Sequence, residues 1–298
     1  AAAPMMQVAF MALPTGLPQT ERQLRASQLL SSSGCAPTLF ERRVFPDVTY
    51  LLTESPGART LEAMLEDRSR RRAADGGTEP LLAPAVSLPI MIDLLRGLEA
   101  MGDQGIVLGD LSEESIYIMS RGGRAVITDF GSACVLDCAD GPLRCGGLGE
   151  VGSALRHAPE MEEGLPNDVS NNVWQLGLIF ARMMFGTGVP TRTVVMEHLL
   201  ERGIAGFDDA TPEGRRRIRD IIREEFSIEE THCFRSMGAR YADMLGIVSR
   251  MLEKDPQKRW SAGHALTVLL TVAHIREVEA PPRRQEAALP DAWREDWL

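Results

Sequence analysis

The sequence predicts an α+β fold in two lobes, a small β-rich one followed by a larger helical one. Three observations carry this. Strand-like apolar segments crowd into the first 55 residues around one helix-period segment. A two-strand signal, SIYIMSRGGRAVITDF, occupies residues 115–130. Five helix-period segments fill the chain beyond residue 170. With 298 residues and 44% apolar side chains, there is material for one large domain or two lobes around a sizeable core. The boundaries that follow are 1–55 for the reduced small lobe, 56–280 for the large lobe and 281–298 for a C-terminal tail.

Residues 5–13 are apolar and read as a strand, stopped by Pro14, Gly16 and Pro18. Residues 20–30, TERQLRASQLL, have a helical period, with Thr20 as the cap and Leu24, Leu29 and Leu30 toward one side. Strands are expected near 39–45 and 48–53. Residues 67–80, DRSRRRAADGGTEP, are polar, charged and Gly/Pro-bearing, which reads as a flexible loop. From Leu88 a buried helix is signalled, with Pro89 at its start and Gly102 at its end. Gly122 and Gly123 can take the positive φ that a hairpin turn requires. Helices are expected over 170–185, 193–203, 212–225, 239–253 and 261–276. The Pro-rich tail carries Trp293 and Trp297, read as packing on the domain.

Charge excludes some functions. The 32 basic and 42 acidic side chains leave a net charge of -10, which argues against a nucleic-acid binder driven by counterion release. No apolar run approaches the roughly 20 residues that span a bilayer, so no transmembrane segment is expected. Ala1 to Pro4 show no signal pattern and read as a trimmed or processed start. The arginines of 215–223 are followed by Glu224, Glu225, Glu229 and Glu230. That favours a solvated, ion-paired face over contact with a membrane surface. The cysteines are Cys35, Cys134, Cys138, Cys145 and Cys233. The spacing of the middle three, with no nearby His, is not a usual zinc pattern. A disulfide within that cluster and unpaired buried thiols both fit. Lys254 and Lys258 are the chain's two lysines against 30 arginines, so no lysine is available to chemistry in the first 250 residues.

Five motifs occur in order: GIVLGDLSEESIYI, VITDFGSA, APEM, NNVWQLGLIF and KDPQKRWSAGHAL. In that order and at that spacing they resemble the large lobe of protein kinases, and the resemblance covers residues 5 to about 276. It implies a two-lobed protein-kinase-like fold with a reduced N-lobe. In a kinase catalytic loop, H-R-D-L-K-P-x-N, the Asp positions the attacking hydroxyl. The Lys offsets charge on the phosphoryl group, and the Asn ligates Mg2+. Here Asp110 is kept, while Leu108, Gly109, Ser112 and Ser115 stand at the His, Arg, Lys and Asn positions. D-F-G is whole. Asp129 is its candidate metal ligand, and Phe130 and Gly131 have structural roles in packing and turning.

The strand motif V-A-I-K is matched by Val8, Ala9, Phe10 and Met11, which puts methionine at the lysine position. Nothing before Met5 can form a Gly-rich loop. A substitute cation could come only from Arg22 or Arg25; of the helix acid, Glu21 comes early and the expected region offers Ser27 and Gln28. The resemblance implies a buried structural ion pair between Glu160 and Arg259. Asn172 stands where an Asp normally braces the catalytic loop, and that anchor is read as lost.

Met11, Asp110, Ser112 and Ser115 are thus degenerate catalytic positions, with no functional catalytic residue expected. No cofactor-binding residues are expected either, and hence no bound ATP or Mg2+. The pattern is that of a pseudokinase, a binding, scaffolding or regulatory module for an unidentified protein partner. The alternative is a divergent active Ser/Thr kinase using Asp110 and Asp129 without a Gly-rich loop. The cysteine-bearing activation segment, missing Gly loop and degenerate catalytic loop resemble the secreted rhoptry kinase family of Toxoplasma, in its branch lacking the Gly-rich loop. That likeness implies secretion into the parasitophorous vacuole or cyst wall.

Overall fold

The computed structural model describes residues 8–57, 59–75, 80–119, 123–135, 152–161, 169–186, 193–206, 208, 210–237 and 239–278. The tail with Trp293 and Trp297, residues 5–7, Gly122 and the middle of the Cys-bearing segment lie outside them.

The small lobe is a three-stranded antiparallel sheet, ordered β1 (Val8–Pro14), β3 (Val48–Glu54), β2 (Leu39–Val44). Its register sets Met11 opposite buried Leu51 and Phe10 opposite Leu52. Because side chains alternate along a strand, Ala9, Met11 and Leu13 share one face. Phe10 lies on the other and stacks on Tyr50, with ring centroids 5.0 Å apart. Between β1 and β2 runs α1 (Pro18–Leu30), which buries Leu24, Ala26 and Leu30. The helix begins at Pro18, so Thr20 is not its cap. Thr20 lies in the first turn, and its hydroxyl donates to the Pro14 carbonyl at 2.6 Å.

Two further elements differ from the sequence reading. The stretch expected to be a loop over 67–80 is helical as far as Asp75, within α2 (Leu61–Asp75). Leu61, Met64 and Leu65 bury its first turns. Farther along, Arg70 pairs with Glu66 at 3.0 Å and Arg71 with Asp67 at 2.9 Å, both at i,i+4. Such pairs support a helix that its composition alone would not suggest. The long buried helix α3 (Pro84–Asp103) opens at Pro84, and Pro89 lies inside it.

After α3 come β5 (Ile106–Val107), the hairpin β6 (Ile116–Ile118) and β7 (Ala125–Ile127), and β8 (Cys134–Val135) paired with β5. A short β4 (Arg59–Thr60) edges the hairpin. Asp93 of α3 ties the helix to β7 by accepting the Ala125 N–H at 3.2 Å. Burial pushes its carboxyl up to about 6, against the opposing pull of that bond and of Arg96 and Arg124.

The large lobe is built on α4 (Ser170–Phe185), in which every residue but Ser170 is buried. Around it stand α5 (Val194–Glu201), α6 (Pro212–Glu225), α7 (His232–Met237), α8 (Ala242–Met251) and α9 (Ala262–Ile275). Hydroxyl caps open three of them: Thr193 on Met196 N–H, Thr211 on Gly214 N–H and Ser261 on His264 N–H. One continuous apolar core runs from α1 to α9. No helix of the described residues is long and apolar enough to cross a membrane.

Candidate functional site

A cleft of about 880 Å3 lies between β1 and α1 on one side and the segments 110–117 and 128–132 on the other. Ala9, Met11 and Leu13 reach it from β1, and Gln23 and Ser27 from α1. Asp110, Ser112, Glu114, Ser115 and Asp129 come from the large lobe. Among the described residues its lining holds three carboxylates, Asp110, Glu114 and Asp129, and no Arg, Lys or His.

On the small-lobe side, Met11 and Gln23 both line the cleft, and both are neutral. Gln23 is 7% exposed; its Oε1 accepts the Phe130 N–H at 2.6 Å and its Nε2 donates to Ser27 Oγ at 3.1 Å. The sequence reading passed over Gln23. The signal that could have found it is its position four residues before Ser27, on the same helix face. Arg22 spends its Nε–H on the Gly131 carbonyl at 2.8 Å, and Arg25 does not line the cleft. Neither arginine stands in for the missing lysine.

The large-lobe side keeps its carboxylates but encloses one of them. Burial raises the pKa of Asp110, an effect opposed by Arg156 and reinforced by Asp129. Arg156 approaches Asp110 Oδ1 at 3.6 Å, an ion pair too long for a hydrogen bond. Gly152 closes the other side. It holds φ +66, and a Cβ there would fall 2.4 Å from the Asp110 carboxyl, so only glycine fits in both conformation and space. Two arginines of α6 fix this segment: Arg215 donates to the Gly152 carbonyl at 2.7 Å and Arg223 to the Pro159 carbonyl at 2.8 Å.

Ser115 is turned into its own loop. Its hydroxyl accepts the Ser112 N–H at 3.2 Å and donates to the Ser112 carbonyl at 2.8 Å. Asp129 sits at φ 59, a left-handed conformation that Asp adopts more readily than most residues. Its Oδ1 accepts the Gly131 N–H at 3.3 Å, while Phe130 is buried in the core.

The loop brace read as lost is present in another form. Asn172 accepts the Leu108 N–H at 2.8 Å and donates to the Ile106 carbonyl at 3.1 Å. Asn171 donates to the Leu108 carbonyl, and Gln175 accepts the Leu111 N–H. A carboxylate could only accept; an amide does both, and it leaves no charge buried.

Two buried ionic groups frame the site. Glu160 and Arg259 form a bidentate pair, with Arg259 Nη2 2.8 Å from Glu160 Oε2. The Arg259 side chain is fully buried over the Trp174 ring. Arg182 of α4 meets Glu62 of α2 at 2.9 Å and Glu113 of the catalytic loop at 3.1 Å. Among the cysteines, Cys35 is a buried free thiol and Cys134 is disulfide-bonded. Cys138, Cys145 and the Cys233 side chain lie outside the described residues.

Residues 39–269, well over half of the chain, match the protein kinase domain. The chain belongs to the protein kinase family. It is similar to the serine/threonine-protein kinase pkn2 of Myxococcus xanthus, at 27% identity over 201 residues, 65% of this chain and 21% of that protein. It is also similar to the serine/threonine-protein kinase PkaB of Streptomyces coelicolor, at 29% over 135 residues, 41% and 31% of the two chains. Mouse eukaryotic translation initiation factor 2-alpha kinase 1 gives 28% over 138 residues, 43% and 22%. The chain thus spans less than a third of the length of these relatives.

The family match begins at β2. Met11 and Gln23 precede it, so their places in the kinase fold rest on sheet order and helix position. Among the described residues the cleft lining sets no cation against a polyanion, and Ser115 is engaged with its own backbone. Among the described residues, no group of three or more His, Cys, Asp or Glu side chains is placed to hold a metal ion.

Proposed function

We propose that this kinase-fold chain is a pseudokinase, a catalytically inactive domain serving as a binding, scaffolding or regulatory module for a protein partner. The observation that carries the reading is the cleft lining, which among the described residues has three carboxylates and no basic side chain. Phosphoryl transfer depends on positive groups fixed against the phosphates. Deleting one such electrostatic contact typically costs about 2.7–4 kcal/mol of transition-state stabilisation. Here the strand lysine, the loop lysine and the metal-binding Asn positions are all changed, as Met11, Ser112 and Ser115.

The test is a thermal-shift titration of the purified chain with Mg-ATP. No rise in Tm is expected. A saturable rise, together with phosphotransfer that Asp129→Ala abolishes, would refute the proposal. A second reading, a divergent Ser/Thr kinase built on Asp110 and Asp129, draws support from the left-handed Asp129 and from the names of the relatives. Gly152 and Arg156 weigh against it, because they occupy the space and charge beside Asp110.

The finer affiliation with the secreted rhoptry family, and with it a parasitophorous vacuole or cyst-wall location, is part of the proposal. Its support is the motif pattern together with the disulfide at Cys134, a bond suited to an oxidising compartment. Protein from its native source, alkylated before reduction, should carry Cys134 oxidised; a fully alkylatable Cys134 would count against secretion.

A further inference from the structure

His198 on α5 is 3% exposed, and its ring meets Phe226 edge-on with centroids 5.8 Å apart. Among the described residues neither of its ring nitrogens has a hydrogen-bond partner. Glu201 Oε2 stands 3.9 Å from Nδ1, too far for a bond. The ring is therefore buried for its shape while its polar atoms go unpaired in the neutral form.

We propose that His198 is an acid-sensitive latch that holds α5 against the end of α6. The charged groups facing it are Glu201 at the end of α5, Arg202 just after it and Glu230 from the turn after α6. Arg202 is itself bonded to Glu225 at 2.8 Å and Glu230 at 3.0 Å, which draws both carboxylates toward the guanidinium. Burial lowers the imidazole pKa, and Glu201 opposes that shift. A protonated ring left buried without an acceptor must then find water, which is reached by moving α5 outward.

A lowered pKa in the closed form means the open form binds the proton more strongly, so closure is complete above pH 6.5 and is lost as pH falls below it. Phe226, which caps α6, also packs edge-on against Trp174 of α4 at 6.1 Å. Opening α5 thus frees one side of the ring that seats α6. The arginines of α6 in turn hold the Gly152 and Pro159 carbonyls.

The test is amide hydrogen exchange of the folded chain at pH 7.5 and 5.5, corrected for intrinsic rates. Protection of α5 should fall by up to about tenfold at the lower pH, the limit for one proton crossing a pKa of 6.5, while α9 is unchanged. His198→Phe should remove the difference. Equal protection of wild-type α5 at both pH values would overturn the proposal, as would a pH effect surviving in His198→Phe. If that variant does not fold, an NMR titration of the wild-type imidazole decides instead: a pKa below 6.5 supports the latch, and one at or above 6.5 sinks it.

Discussion

Arg259 and Met11 stand at the two positions where the sequence resemblance expects a kinase cation paired with an anion, and only one of them carries a charge. Around Arg259 the anion Glu160, the carbonyls of Ser170 and Glu253 and the Trp174 ring all remain, enclosing a side chain with no exposure. In the cleft, Met11 and Gln23 are both neutral, and Gln23 is satisfied by the Phe130 N–H and Ser27 Oγ. A buried charge left without its partner is costly, so a pair is stable when kept whole or when neutralised on both sides. The scaffold took the first course and the cleft the second. Asn172 shows the cleft's course applied to the loop brace, where an amide does the hydrogen bonding without a charge.

The comparison can be broken most sharply at the scaffold end. Arg259→Ala strands Glu160 and should cost about 3–5 kcal/mol in urea-unfolding free energy; a loss under about 1 kcal/mol would make the pair dispensable and end the contrast. Asp93 tests whether every scaffold charge is well matched. Its raised pKa means its favourable contribution is complete below about pH 3.8 and lost as pH rises through about 6. Asp93→Asn, whose amide oxygen can still accept the Ala125 N–H, should therefore stabilise the chain at pH 7.5 by up to about 3 kcal/mol. The gain should vanish near pH 4; a gain independent of pH would show that titration is not its source.

The smallest effect belongs to the cleft. Gln23→Glu buries a carboxylate, Met11→Lys alone adds a cation in a half-open position, and the two together should recover about 1 kcal/mol of coupling in a double-mutant cycle. Zero coupling would mean that Met11 and Gln23 are not a neutralised pair. Phosphotransfer is expected from none of these three variants.

Much of this was legible in the chain. The two-lobed plan, the D-F-G turn and the Glu160–Arg259 motif residues each carry local patterns that survive in one dimension. What was not legible depended on partners distant in sequence. Residues 67–75 look like a loop by composition and are helical because Asp67 and Arg71 meet across one turn on a helix whose start is buried. Asn172 looked like a lost anchor because its worth lies in the Ile106 and Leu108 backbone groups 64 to 66 residues away. Gln23, Arg156 and Gly152 carry no motif of their own. Their roles arise from what they touch far along the chain, at Phe130 and Asp110.

Gln23 also bears on what a single change in the cleft could do. A lysine placed at position 11 would find an amide already engaged on both ends, and a glutamate placed at 23 would meet no basic side chain among the described residues of the lining. Neither step alone builds an ion pair, so on the proposed reading the cleft comes to handle phosphate only through changes made together.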